Sequence, residues 1–543
     1  MPETKHYRPA RSRRLGIARA TWFACCALLL PLTTLALSPH DIPRPVRQET
    51  NEKSSVPLRV LIVGGGPNLE YNQVAIESNV RYVSKLLPSD AIRTTLFADG
   101  DANHATVLYD DDPHAMPAGE RVLRLLLGGR DSESYSPAHY RKPNFGKLDG
   151  AANRSELDRT FNRIAGEESA AAPPEPLLLY FTGHGSLDAA NPENNQYDLW
   201  SSKQNLTVRD LAQQIARLPE NVPVTVVMVQ CFSGAFGNLI FEGGNPKGHS
   251  TDRDIAGFFA TVPDRVAAGC TSAVNEAEYH DFTSYFFAAL TGIDRVGRRI
   301  TGADYNHDGR VGMNEAFCYS LLHDESIDVP VCTSDVFLRR YLPMNQGQEA
   351  ALFKTPFKSI FAWATPAQRA ALDGLSARLH LAGDDRPDIA YQQFQGRMSA
   401  RSFTQHRSDG TAARRYASLR TEGRALLKQR FPSVRLSDLE LTGADVRTAL
   451  AELTKQADAG EWKELLDADD ALDKADAEAE DGAIADSRVL RFVRLCKSVM
   501  LAHRLGETGE KAVQARFTRL QEAESRTVLP PVNRQASSRS ASP

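Results

Sequence analysis

The sequence predicts an α/β protein: a mostly parallel sheet flanked by helices, followed by a mainly α-helical C-terminal region. Three observations predict it. Short apolar runs bounded by glycine or turn residues read as buried parallel strands. Stretches with helical spacing fall between them, the alternation expected of βα units. From Gly347 onward strand-like runs vanish, and Ala, Leu, Arg, Glu and Gln dominate.

The first strand is Leu58–Val63. It runs into the tight turn Gly64-Gly65-Gly66-Pro67, which lacks the G-x-G-x-x-G spacing of a dinucleotide site. Asp110–Asn153 is polar and irregular, a long surface excursion of the kind that serves as a lid or binding loop. A helix follows at Arg154–Ile164. Two further apolar runs each end in a reactive residue. Leu177–Phe181 leads into Thr182-Gly183-His184-Gly185-Ser186, and Val222–Val229 leads into Gln230-Cys231-Phe232-Ser233-Gly234. Catalytic groups in parallel sheets sit at the carboxyl ends of strands. Adjacent strands of this kind present a His beside a Cys, which is what a cysteine nucleophile and its acid/base partner require.

The C-terminal region reads as helices over Ala367–Leu381, Tyr391–Phe431, Gly443–Ala459 and Arg488–Leu505, with a strongly acidic run at Asp458–Asp486. It carries no catalytic constellation, so an interaction partner, support of the fold, or a regulatory cap are its expected roles. The full division is 1–37 targeting segment, 38–56 polar Pro-rich linker, 57–341 α/β domain, 347–525 helical domain and 526–543 disordered tail.

The N-terminus has a targeting layout. Lys5, Arg8, Arg11, Arg13 and Arg14 precede an apolar stretch from Ala20 to Leu37, a positive n-region followed by an h-region. Export follows in either case: the segment is cleaved, leaving a periplasmic or secreted protein, or retained as a membrane anchor. A net charge of -4 gives no general affinity for nucleic acid. Of seven cysteines, Cys25 and Cys26 lie in the targeting segment. The odd remainder, Cys231, Cys270, Cys318, Cys332 and Cys496, leaves at least one free thiol in an exported chain, and Cys231 is the natural one. Cys318 and Cys332 read either as a disulfide or as two buried thiols.

A second constellation spans Asp304 to Glu315. Asp304, Asn306, Asp308, the Arg310 carbonyl and Glu315 occupy positions 1, 3, 5, 7 and 12 of a calcium loop, with Gly309 at the sharp turn and a helix from Asn314. The expected ligand is Ca2+ in a structural role; the alternative is a carboxylate-rich turn without an ion. Gly292–Thr301 makes no convincing entering helix.

The His-Gly and Cys-x-Ser-Gly pair resembles the caspase-like cysteine peptidases, and among them the legumain (asparaginyl endopeptidase) family. Other stretches follow the family's order. Tyr71-Asn72 follows the first strand, Thr94–Asn103 resembles the second strand and its acidic tail, and Leu206–Ile215 resembles the helix between the His and Cys strands. Arg265–Asp281 resembles the strand that walls the specificity pocket, with Ser272–Glu278 flanking it. The resemblance covers roughly Leu58 to Tyr341. It implies a caspase-like fold and a cysteine endopeptidase acting on peptide or protein substrates through a thioester. Cys231 would be the nucleophile, His184 the acid/base, Gly185 and Cys231 amides the oxyanion site, and Asn72 the residue that orients His184. The family's transamidases and ligases keep the same chemistry, and an inactive calcium-stabilised binding protein is the non-enzyme alternative. Two departures bear on specificity. The basic pair that helps legumains hold asparagine is here Val74 and Ala75, and the Asp that metacaspases place two residues before the Cys is here Val229.

Overall fold

The structure is a computed structural model; it describes residues 56–110, 116–128, 138–201, 203, 205–269, 271, 274–404, 411–434 and 443–530. The targeting segment, nearly all of the linker, the tail from residue 531, Cys270 and Ser272 lie outside the described residues. Among the described residues no helix is long and apolar enough to cross a membrane.

The strands are β1 (Arg59–Gly65), β2 (Ile92–Phe97), β3 (Val107–Asp110), β4 (Ala138–Arg141), β5 (Leu177–Gly183), β6 (Gly185–Ser186), β7 (Gln196–Tyr197), β8 (Leu206–Thr207), β9 (Val224–Met228), β10 (Ile255–Phe259) and β11 (Val331–Cys332). The first helices are α1 (Val74–Leu86), α2 (Ala118–Leu127), α3 (Arg154–Ala170), α4 (Val208–Ala216), α5 (Phe282–Thr291), α6 (Met313–His323) and α7 (Thr333–Tyr341). The C-terminal region adds α8 (Gln346–Leu352), α9 (Phe357–Trp363), α10 (Pro366–Arg378), α11 (Arg386–Thr404), α12 (Thr411–Arg430), α13 (Ala444–Asp458), α14 (Lys463–Thr508) and α15 (Lys511–Glu524).

Six strands form the central sheet in the order β11-β10-β9-β5-β1-β2, parallel except for β11. Strands β1, β5 and β9 are buried along their whole length, which is why they read as continuous apolar runs. Side chains alternate between the two faces. Val60, Ile62, Leu178, Tyr180 and Phe258 join the core under α1, α5 and α6. Leu61, Val63, Leu179, Phe181 and Val226 join the core under α3 and α4. Strand order reverses between β1 and β5, so the crevice at their carboxyl ends is the switch point where such sheets bind ligands.

Several expectations change. The excursion 110–153 is not irregular throughout: β4 pairs antiparallel with β3, and the amphipathic α2 packs on α12 and α13 in a third, smaller core. Arg265–Asp281 contains no strand among its described residues; the strand after the Cys is β10, upstream of it. The acidic run Asp458–Asp486 lies largely within α14.

The C-terminal region is helical as expected; α12, α13 and the start of α14 share the third core with α2, while the second half of α14, together with α15, enters the two cores of the sheet. Val489, Phe492, Val493 and Met500 of α14 belong to one core of the sheet, and Leu490, Leu501, Leu505 and Phe517 of α14 and α15 to the other. The tail also begins later than residue 526. Arg526 accepts the Met313 N–H at 3.0 Å through its carbonyl, Thr527 Oγ1 donates to the Val311 carbonyl, and Leu529 is buried.

Candidate active site

The register of the sheet brings the His and the Cys together. β5 and β9 pair through Phe181↔Met228, and the Val229 N–H donates to the Phe181 carbonyl at 3.1 Å. His184 and Cys231 are each the third residue past that pair. Gly185 then lies against the Cys231 turn. A Cβ there would fall 2.3 Å from the Cys231 carbonyl oxygen and 2.6 Å from Gln230 Cγ, so only glycine fits.

The residues after Cys231 explain the Ser-Gly pair. Phe232 takes a left-handed conformation (φ 60°) and opens a 3-10 helix, Ser233–Ile240. Ser233 Oγ accepts the Thr261 N–H at 3.4 Å, and a Cβ on Gly234 would fall 2.5 Å from the Thr261 carbonyl. The Phe232 N–H donates to the Arg265 carbonyl at 2.8 Å. The Cys231 turn is thus fastened to the segment beyond β10.

That segment also meets the thiol. The Ala267 N–H donates to Cys231 Sγ at 3.3 Å. Burial pushes the Cys231 thiol up to about 11; the Ala267 N–H opposes this by favouring the thiolate, while the Asp328 and Asp198 carboxyls add to it. At neutral pH the group is therefore a thiol, and it needs a base to become a nucleophile.

His184 Nε2 lies 2.9 Å from Gln73 Oε1, and its ring meets Tyr71 edge-on at 5.7 Å. With Nε2 donating to that oxygen, Nδ1 is the basic nitrogen. The expected orienting residue was Asn72. Its side chain is buried and committed elsewhere: Oδ1 accepts the Gly66 N–H at 3.1 Å and Nδ2 donates to the Thr106 carbonyl at 2.8 Å. Asn72 shapes the glycine turn, and its neighbour Gln73, at the N-terminus of α1, contacts the imidazole. Gln230 is a further residue that the sequence reading passed over. It is 1% exposed, and neither polar atom of its amide has a partner.

The predicted calcium loop has part of the required arrangement. Gly309 (φ 86°) donates its N–H to Asp304 Oδ2 at 3.0 Å, the Asp308 N–H reaches Asn306 Oδ1 at 2.8 Å, and the Arg310 N–H reaches Asp308 Oδ1 at 2.9 Å. Asp304 Oδ1 is buried without a hydrogen-bond partner, an oxygen suited to a cation. Glu315 is turned toward backbone: Oε1 accepts the Tyr305 and Asn306 N–H groups and Oε2 that of Gly312. Among the described residues, the carboxylates of Asp304, Asp308 and Glu315 do not all come within 4.8 Å of one another. In the group that does, Asp469, Asp470 and Asp473, the first two are paired with Arg121. Cys318 and Cys332 are free, buried thiols lining a cavity of about 130 Å3 between α6, β11 and α14.

No family model matches the chain, and no curated protein matches it. Among solved structures it is similar to the crystal structure of protein GSU0716 from Geobacter sulfurreducens, at 12% identity over 51% of this chain and 92% of that one, with a TM-score of 0.27. A likeness that weak carries no argument about fold or family.

Proposed function

We propose that the chain is a cysteine endopeptidase of the caspase-like kind, related to the legumains. The observation that carries the proposal is the placement of His184 and Cys231 at the ends of adjacent parallel strands, with the Gly185 backbone against the Cys231 turn. Cys231 gives its proton to His184, and the sulfur attacks the scissile carbonyl carbon. The Gly185 and Cys231 amides receive the oxyanion. His184 returns the proton to the leaving amine as the C–N bond breaks, leaving a thioester that water hydrolyses. Gln73 holds the imidazole.

The raised thiol pKa suits this order of events. The base acts when a substrate is in place, rather than keeping a thiolate permanently exposed. Val74 and Ala75 are both buried and apolar, so a preference for asparagine is not part of the proposal. Calcium is proposed at Asp304, Asn306, Asp308, the Arg310 carbonyl and Glu315, as a structural ion that draws the loop together ahead of α6. Export, by a cleaved or retained N-terminal segment, completes the reading.

The test is a profile of the purified protein against a peptide library, with and without calcium, beside a Cys231→Ala control. Cleavage lost in Cys231→Ala, with the fold intact, is the expected result. Full activity in that variant would refute the proposal.

A further inference from the structure

Three segments far apart in sequence meet behind Cys231. The Ala267 N–H points at Sγ, and the next amide, Ala268, donates to Asp328 Oδ1 at 2.7 Å. Asp328 Oδ2 accepts the Phe282 N–H at 3.0 Å, and the residue has no exposed surface. One carboxyl group, pushed well above the usual range by its burial, therefore fixes both the thiol-facing segment and the start of α5.

The loop that carries Asp328 is gripped by α14. Arg491, 1% exposed, donates Nε to the Asp328 carbonyl at 2.7 Å and Nη2 to the Ser326 carbonyl at 2.8 Å, and Nη1 to the Asp324 carbonyl. Its charge is met by Asp324 Oδ1, 3.4 Å from Nη2. A second link runs beside the first. Ser487 Oγ donates to the Ile327 carbonyl at 2.9 Å and accepts from Arg265 Nη2 at 3.0 Å, and the Arg265 carbonyl accepts the Phe232 N–H next to the nucleophile.

A buried guanidinium is a costly way to pack a helix, because apolar side chains of similar volume do that as well or better. What a planar fork of donors supplies is geometry: it fixes three carbonyls of one loop at once. Here that loop ends at the carboxyl group that aims the Ala267 amide.

We propose that Asp328 is a positioning residue for Cys231, and that Arg491 sets it, so that α14 holds the nucleophile in its reactive environment rather than capping it. Asp328 touches neither the thiol nor any substrate; it acts through the Ala268 and Ala267 backbone. The inference rests on the peptidase reading for its consequence in turnover, and on Cys231 alone for its consequence in thiol chemistry.

The experiment therefore has two readouts on the full chain. The first is the alkylation rate of Cys231 by iodoacetamide at pH 8, followed on the Cys231 peptide by mass spectrometry. The second is kcat/KM on a cleaved peptide. Asp328→Asn keeps the volume but sets an amide N–H2 against one of the two backbone N–H groups. Loss of the Ala267 bond disfavours the thiolate and outweighs the relief from removing the Asp328 carboxyl, which by itself pushes the thiol up; a net rise of one pKa unit slows alkylation roughly tenfold. Arg491→Lys, which keeps the charge and loses the fork, is expected to move both readouts in the same direction by less.

Both rates within twofold of wild type, with only the melting temperature lowered, would overturn the inference and leave a purely structural cluster. Faster alkylation would overturn it too, since it means that Asp328 acts on the thiol through its charge, or that the wall shields the sulfur, rather than by aiming the Ala267 amide. Where Asp328→Asn fails to fold, Ser487→Ala on the second link carries the same expectation and the same refutation. If wild type cleaves no peptide, the peptidase reading falls, while the alkylation rates still decide the role of Asp328.

Discussion

Cutting the chain after Tyr341 is expected to destroy the fold of what remains, not to release an active peptidase. The magnitude follows from the two cores. Val489, Phe492, Val493, Leu495, Val499 and Met500 are buried in the core on the α1 and α5 face of the sheet, and Leu490, Leu501, Leu505, Phe517 and Leu520 in the core on the α3 and α4 face. Each such side chain contributes about 1.5–3 kcal/mol when fully buried. With the full discount of about 40% for compactness of the unfolded chain, together they contribute about 10–20 kcal/mol. That matches or exceeds the whole stability of an ordinary domain, about 5–15 kcal/mol. The loss of Arg491 also strands the Asp324 carboxyl, which is already buried and held up in pKa by that burial. Residues 56–341 and 56–530 should be compared by size-exclusion chromatography, far-UV circular dichroism melts and dye binding. The shorter chain should aggregate or melt without cooperativity. A monomeric, cooperatively melting 56–341 fragment would refute the reasoning, and one that also cleaves peptides faster than the longer chain would restore a removable cap.

Gly185→Ala places a Cβ inside the Cys231 carbonyl and displaces an oxyanion amide, so kcat/KM should fall by about 10^2–10^3; a fall below about fivefold would remove Gly185 from the site. Calcium at about 100 times its Kd should stabilise the native chain by about 2.7 kcal/mol, read as a rise in melting temperature. Asp304→Asn should abolish that rise, and it is a cleaner test than Glu315→Gln because Glu315 also holds three backbone amides. The Cys231 thiol, with its folded pKa raised to about 11 from an ordinary value near 9, should alkylate ever faster as pH rises, with no plateau by pH 9. The same shift gives the stability sign: the unfolded chain loses this proton first, so the contribution is full below about pH 9 and lost as pH rises toward 11. A plateau near pH 7 would mean a preformed thiolate.

The strands that carry His184 and Cys231 were legible because they are short, apolar and buried on both faces, so composition alone marks them. Their pairing also followed, since a reactive residue just past each strand end needs only neighbouring strands to meet. What lay beyond composition was direction. Asn72 and Gln73 are adjacent in one turn and point to different places; the sequence marks the turn but not which side chain turns toward His184. β10 was missed because Ile255–Phe259 is five residues long and interrupted by Gly257, which reads equally as loop. α2 was hidden in a polar excursion, since the short apolar run Val122–Leu127 has nothing nearby in sequence to bury it and is covered only by α12 and α13. The calcium loop was the reverse case. Its ligand spacing is fully written in sequence, whereas the rotamer of Glu315 depends on which backbone amides lie nearby.

The contacts that decide the role of the C-terminal region were out of reach for a different reason. Arg491 meets Asp324 across 167 positions, and nothing local to either residue marks the pair. An acidic, alanine-rich stretch such as the first half of α14 reads as a solvated surface, and its long exposed middle bears that out. The second half of the same helix is apolar and enters both cores. The same helix thus starts in the third core, runs through an exposed middle and ends in the cores of the sheet, which it ties to the helices of the C-terminal region. On the proposed function, a cap must lie over the face where His184 and Gly185 would meet a substrate. The bonds made by Ser487 and Arg491 instead reach the loop before β11 and the segment behind the thiol. A helix anchored there can tighten or loosen the wall of the candidate site without standing in its entrance. Any regulation through this region would then change the rate at which Cys231 reacts, not the access of a peptide to it.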